Sequence, residues 1–435
     1  MLPDKRLAMQ IIQVLGQSGV PLSKGVSYYN VGNESLLNAL DKHYLSSYLP
    51  EGGAVFKLVV GDYGSGKSHF LYCVRDRAWE RHFAVSKVDL SPKESPYDDQ
   101  KRVYAAVASL ISWHELTDTS DEVRGLARFL EATLRRLVEK GGLDFADLPA
   151  SGAAQLPDVQ ALIETVANTP IDSLSYQKAI IAYFEALLYG KELRAEALTR
   201  WLQGEDPTPD AMRDLRALGV TEKINKNNAF RMLRSLCQTV RALGYSGLVL
   251  LFDEGDRMLS VGGKSEKVAT DNLREVIDKC REELPGAMFI YAVPPDFVNN
   301  IVPKYQALDQ RIKAPNYFSR SNPFSPQINL DHLDISDAEV LVQVGYRLLS
   351  IFEIAYDVKL NADLQAQNIE VLSTAARNAY LDMSHRRLFI KSLITDWFRQ
   401  MEDGEGLITA DYAEALIRGQ YQHLNAIADS LQSPY

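Results

Sequence analysis

Cysteine is scarce in this chain. Cys73, Cys237 and Cys280 are the only three in 435 residues, far apart and never in a C-x-x-C pair. That excludes a cysteine-based zinc site and any disulfide framework, and it suits a reducing cytoplasm. Positive charge is short as well: 47 Lys and Arg against 57 Asp and Glu leave a formal net charge of −10. A generally basic nucleic-acid surface is thereby disfavoured, and only a local basic stripe stays open. Long apolar runs are missing, so no membrane span is expected. The stretch LAMQIIQVL (7–15) is short, broken by glutamines and without a small-residue cleavage site; it predicts an amphipathic helix and not a signal peptide. No fixed-period repeat is present, which speaks against a solenoid. The histidines show no ligand spacing, so no metal beyond a nucleotide-bound magnesium is expected. What remains, 46% hydrophobic and 24% charged, is ordinary for a globular protein of two or three domains.

Residues 61–68 read GDYGSGKS and fit the phosphate-binding pattern G-x-x-x-x-G-K-[ST] at every required position. The preceding AVFKLVV (54–60) predicts a strand, and HFLYCVRDRAWE (69–80) predicts a helix, which is the order the motif needs. Gly61, Asp62, Tyr63, Gly64, Ser65 and Gly66 would curl so that successive N–H groups point into one hollow, with the helix dipole behind them. Lys67 is then expected to reach the β- and γ-phosphates of a nucleoside triphosphate, and the Ser68 hydroxyl to ligand Mg²⁺. His69 follows directly and reads as a packing residue of the site more than as a catalyst.

Helices are predicted over 3–17 and 35–49, joined by a linker at 26–34. In that linker Tyr28, Tyr29 and Val31 either pack against a nucleotide base or staple the first helix to the core. FAVSKVDL (83–90) alternates like a strand. From about 100 to 240 the periodicity is helical, with long stretches at 122–140 and 175–202 separated by Gly- and Pro-bearing loops. Apolar strands resume at 247–252 and 287–293 around a helix at 269–283, and a short last strand is expected near 327–330. Ser336-Asp-Ala-Glu339 is a capping box opening a helical remainder. The expected fold is α/β: a mostly parallel sheet covered on both faces, a large all-helical insertion, and a C-terminal helical lid. The division expected is 1–50 for the N-terminal helices and base linker, 51–110 and 235–330 for the two parts of the core, 111–234 for the insertion, and 331–435 for the lid.

The second half of a triphosphate site is expected at the end of a neighbouring apolar strand, and LVLLFDE (248–254) supplies it. Asp253 would hold Mg²⁺ directly or through a water, and Glu254 would polarise the attacking water. Arg311 lies where a charge-stabilising arginine is wanted, within the chain or across a subunit interface; the bland alternative is a surface salt bridge. In SHRRLFIK (384–391), Arg386 or Arg387 would reach the phosphates from the lid, or else form a basic face for nucleic acid. WLQG (201–204) reads as a helix end without chemical role.

Several stretches together resemble a known group. Val31-Gly-Asn-Glu34 is similar to the VGRE-like linker of AAA+ and STAND ATPases, with Asn33 in place of the usual arginine. Gly52-Gly53-Ala54, Phe56 and VVGDYGSGKSHF (59–70) closely resemble the phosphate-loop segment of the ATP-binding proteins of BREX-type phage-defence systems. Gly244-Tyr-Ser-Gly-Leu248, the LLFDE strand, the helix containing 384–393 and, more weakly, WLQGE (201–205) are similar to the same group. The resemblance implies a cytoplasmic P-loop AAA+/STAND-like ATPase, a hydrolase of Mg²⁺-ATP, acting in antiviral defence beside helicase or methylation components. Lys67, Ser68, Asp253 and Glu254 would keep the family's roles. Arg311 resembles the arginine-finger position, and Arg386 or Arg387 the sensor arginine. One departure concerns the fourth core strand, which in such ATPases ends in a polar residue that positions water. Here it reads Tyr291-Ala-Val-Pro-Pro295, with no hydroxyl or amide near Val293. Slow or partner-dependent hydrolysis would follow. An ATP-dependent homo-oligomer is one assembly open to such a chain; the missing polar residue near Val293 leaves room for a nucleotide-gated scaffold with little turnover, and the SHRR helix, against the acidic net charge, for an initiator-like DNA-binding ATPase.

Overall fold

A computed structural model describes residues 2–114, 124–148, 152–258, 263–282, 284–379 and 385–432. Its centre is a six-stranded sheet of β1 (Ala54–Val60), β2 (Ala84–Asp89), β3 (Ile111–Ser112), β4 (Leu248–Asp253), β5 (Ala287–Val293) and β6 (Gln327–Asn329), in the order β3-β2-β4-β5-β1-β6. All neighbours run parallel except β2 and β3. Strands β4 and β5 are buried along their whole length, which is why their sequences are apolar without alternation. Val60 sits level with Val293 and Asn329, and Asp89 with Asp253, so the turns leaving β1, β2, β4, β5 and β6 gather at one edge.

Period-two alternation sorts the strand side chains between two cores. Phe56, Leu58, Leu250, Phe252, Phe289 and Tyr291 face one side, where they join the helices of the 100–243 region. Val59, Val249, Leu251, Met288 and Ile290 face the other, where they meet the N-terminal, phosphate-loop and C-terminal helices. The insertion is therefore continuous with the sheet's own core. Helix Lys5–Ser18 packs on helices Asp337–Tyr356 and His385–Asp403, and Lys391 Nζ donates to Gln17 O. Helix Asp337–Tyr356 is capped as the capping box predicts: Ser336 Oγ accepts the Glu339 N–H at 3.3 Å.

Three expectations need correction. The segment 111–234 is not all helical, because it opens with β3, an antiparallel edge strand that pairs Val85 with Ser112 and Ser86 with Ile111. The helix expected over 175–202 is two, Leu174–Leu188 and Glu192–Leu202, broken where Gly190 turns left-handed at φ 62°. The helix expected over 35–49 is α-helical only over Glu34–Leu40 and continues as a wider turn of π type, Asp41–Tyr48. Residues 122–123 of the expected 122–140 helix, and Ser384, lie outside the described residues.

Lys57 is an anomaly within β1, a lysine buried in a central strand. Its Nζ donates to Tyr44 Oη at 3.1 Å, Pro323 O at 2.8 Å and Ser325 O at 2.7 Å, and lies over the rings of Tyr44 and Phe318. These contacts fasten the segment that leads into β6.

Candidate nucleotide-binding site

The turn after β1 runs into helix Lys67–Glu80. The Gly61 N–H donates to Val293 O at 3.3 Å, and the Ser65 N–H to Asp62 O at 3.0 Å, which closes the loop on itself. A Cβ at 61 would meet Ser65 Oγ at 2.3 Å, so any side chain there would have to displace that hydroxyl. Gly66 is left-handed at φ 97°, and no side chain caps the helix it precedes. Gly64, Gly66, Lys67, Ser68 and His69 all line one cavity, so the positive helix end is turned toward it. Lys67 Nζ donates to Gly61 O at 2.7 Å and Asp62 O at 2.9 Å, with the Tyr63 ring over it at 5.3 Å. Burial lowers the Lys67 pKa, while Asp253, Asp256, Asp331 and Asp62 oppose the change. The Tyr63 hydroxyl reaches across to donate to Asp256 Oδ2 at 2.9 Å.

Asp253 ends β4 in a buried position. Its Oδ1 accepts the Glu254 N–H at 3.0 Å and its Oδ2 lies 3.2 Å from Lys87 Nζ. Burial lowers the Lys87 pKa, but Asp253 and Asp89 outweigh it and raise the ammonium pKa overall. Glu254 follows in the left-handed region at φ 58°, an unusual backbone for a residue with a side chain. Burial raises its pKa, and Asp253, Asp256 and Asp89 add to the rise against the opposing charge of Arg257. A carboxylate raised in this way accepts a proton more readily.

The cavity, of about 680 Å³, continues from these loops to an apolar end. That end is built by Leu15, Val20 and Pro21 from the N-terminal segment, Tyr29 and Val31 from the linker, and Val340, Val344, Ile390 and Tyr421 from the C-terminal helices. A polar, cationic end joined to an apolar one is the shape a nucleotide requires. Arg386 bridges the two parts: it donates to Ser65 O at 2.5 Å and to Asp337 Oδ1 at 2.7 Å. Arg387 also lines the cavity, with its stem against Gly19 at the end of the first helix. His69 Nε2 lies 3.0 Å from Asn30 Oδ1, and its ring centroid is 5.1 Å from that of Tyr29. Burial and the charge of Arg386 push the imidazole pKa down to about 4, so His69 is neutral and fits a packing role.

The structure thus brings Tyr63, Gly64, Gly66, Lys67, Ser68, His69, Val31, Asp253, Glu254, Arg386 and Arg387 to one cavity. Gly61, Asp62 and Ser65 form the base of the loop without lining it, and Tyr28 is not part of the wall. Arg311 lies apart: on helix Gln306–Ile312 it clasps Asp278 through Nε at 2.6 Å and Nη2 at 2.9 Å. Trp201 belongs to the insertion's core, where its Nε1–H donates to Glu222 O at 2.9 Å.

Sequence reasoning overlooked four residues. Asp331 accepts the Asp62 N–H at 3.1 Å, and burial together with Asp62 raises its pKa. Asp256 receives Tyr63, Asp337 holds Arg386, and Arg257 pairs with Glu254 at 2.8 Å. The only available signal was the charge density of DEGDR (253–257).

Among the described residues no group of three or more His, Cys, Asp or Glu converges as a metal site. Ser68 and Asp253 on one cavity still suit magnesium, which takes one or two protein oxygens and completes its shell with phosphate and water.

Among the described residues no helix is long and apolar enough to cross a membrane. Comparison with curated proteins and with solved structures gives no match. The family model described as BREX system ATP-binding protein BrxC/D matches residues 4–414, which takes in every element that builds the cavity except most of the last helix, Ala410–Gln432, with Tyr421. An ATP site at the 61–68 loop is consistent with that description, and the chain belongs to the BREX system ATP-binding protein BrxC/D family.

Proposed function

We propose that the chain is a cytoplasmic P-loop ATPase of AAA+-like build that couples Mg²⁺-ATP binding and hydrolysis to a change of shape felt by other components of a BREX defence system. The observation that carries this reading is the convergence of Lys67, Asp253, Glu254 and Arg386, from separate elements, on one cavity with an apolar far end. Lys67 exchanges the carbonyls of Gly61 and Asp62 for phosphate oxygens, and the N–H groups at the start of helix Lys67–Glu80 bind the remaining charge. Ser68 and Asp253 would hold magnesium, which supplies charge neutralisation on the β- and γ-phosphates. Glu254 takes the proton of the attacking water. Arg386 touches the loop at Ser65 and the lid at Asp337, so a phosphate that recruits its guanidinium biases the lid against the core.

The test is nucleotide binding and turnover by purified protein. Lys67→Ala is expected to weaken ATP binding by about 10- to 100-fold, the loss of a charge-assisted contact. Undiminished affinity in that variant sinks the site.

A second reading, a nucleotide-gated scaffold with little turnover, draws on the end of β5. There Val293 offers only its carbonyl, already used by the Gly61 N–H, and Pro294 and Pro295 follow. Equal turnover in wild type and Glu254→Gln would favour it. Direct DNA binding through the SHRR helix is the weaker option, because Arg386 and Arg387 both face the cavity. Arg311, anchored by Asp278, remains a candidate finger only for a neighbouring subunit. The helical insertion is the element we assign to partner contact.

A further inference from the structure

Arg257 stands in the single turn Gly255–Met258 and lines the same cavity as Lys67. Its Nε meets Glu254 Oε2 at 2.8 Å, and its backbone N–H donates to Glu254 O at 2.9 Å. The backbone enforces the pairing. Glu254 is held left-handed at φ 58°, and Gly255 lies so close to β5 that a Cβ would meet Ala292 O at 2.7 Å and Val293 Cγ1 at 2.8 Å. The chain must turn sharply there, which folds Arg257 back over the residue that ends the acidic strand. Strain kept next to a binding cavity is a recognised mark of function. Of the other arginines, Arg386 is held by Ser65 O and Asp337, Arg311 is held by Asp278 outside the cavity, and Arg387 lines the cavity from helix His385–Asp403 with its stem against Gly19.

We infer that Arg257 is an exchangeable partner of the catalytic carboxylate: it holds Glu254 while no triphosphate is bound, and passes to the γ-phosphate when one enters. The inference rests on the ATPase reading above. A terminal phosphate out-competes a single carboxylate for guanidinium because it carries more charge and accepts two parallel hydrogen bonds. The present pair is about half exposed on both sides, so it is weakly held. Once Arg257 leaves, the Glu254 carboxylate is released from its ion pair and turned to the attacking water. In the step itself, the water oxygen bonds to the γ-phosphorus. The bond from that phosphorus to the β,γ-bridging oxygen breaks, and its electron pair stays on ADP. The water proton passes to Glu254 and then to solvent. The Arg257 guanidinium meanwhile stabilises charge on the γ-phosphoryl oxygens.

The experiment compares wild type, Arg257→Ala, Arg257→Lys and Glu254→Gln in ATP binding and in steady-state hydrolysis. Arg257→Ala is expected to bind ATP within about threefold of wild type while kcat falls about 100-fold or more, in line with other charge-stabilising arginines. Arg257→Lys should recover part of the lost rate. A kcat within twofold of wild type, or a loss of ATP affinity equal to the loss of rate, overturns the inference while leaving the ATPase reading intact, provided Glu254→Gln is inactive. If Glu254→Gln turns over like wild type, both fall.

Discussion

Replacing Lys57 by methionine tests how the sheet holds the phosphate loop. In the native chain the Lys57 ammonium is bonded, among the described residues, only to neutral oxygens: Tyr44 Oη, Pro323 O and Ser325 O. Burial pulls its pKa from an ordinary 10.5 down to about 7. Between those values the unfolded chain keeps a proton at this site that the folded chain has released. Raising the pH through that window therefore favours the folded state by about 1.4 kcal/mol per unit, or roughly 4 kcal/mol between pH 7 and pH 10. Buried Cys73, Cys237 and Cys280, whose pKa values burial raises, act in the opposite sense above the thiol range. The informative quantity is thus the difference between wild type and Lys57→Met, in which the cysteines cancel. Urea denaturation followed by tryptophan fluorescence at pH 7, 8.5 and 10 measures it. The wild type should gain on the variant by a few kcal/mol across the series. Parallel pH dependences would show that Lys57 keeps its proton in the fold, and the account of its burial would be wrong. Because Lys57 fastens the segment that delivers Asp331 to the Asp62 N–H, the variant should also bind ATP less tightly.

Two further substitutions probe the cavity. Arg386→Ala cuts the contact between Ser65 and Asp337, and should weaken ATP about 10-fold and abolish any ATP-induced protection of the 329–339 linker from proteolysis; unchanged protection would remove Arg386 from the coupling. Val344→Asp places a charge at the half-buried apolar end, and calorimetry should find ATP binding weakened by about 10- to 100-fold with the melting temperature little altered. Binding at wild-type strength would place the base elsewhere.

The strand, turn and helix around residues 61–68 were legible because their pattern is local. Consecutive residues 61–68 must supply glycine freedom, a lysine and a hydroxyl at fixed spacing, and Asp253-Glu254 announces itself by interrupting an apolar strand. Strands β4 and β5 were legible because burial on both faces leaves an unbroken apolar run. β3 was hidden, since two residues carry no period and its pairing with Val85 and Ser86 is set by tertiary contact. Asp331 meeting Asp62, and Arg386 meeting Ser65, join positions hundreds of residues apart, where no spacing rule reaches. The choice between Arg386 and Arg387 also needed the structure. Both face the cavity, but only Arg386 has its guanidinium on the loop.

Leu15 and Tyr421 stand in the wall of the same cavity. During synthesis the N-terminal part of that wall and the sheet emerge before the helices that carry Val340, Ile390 and Tyr421, since residues emerge in order and earlier units fold first. On the proposed reading, a partly made chain would offer the phosphates a cradle but the base only one side of its slot. Tight capture would then wait for residues such as Tyr421, and nucleotide affinity would report whether the two sides of the cavity have met.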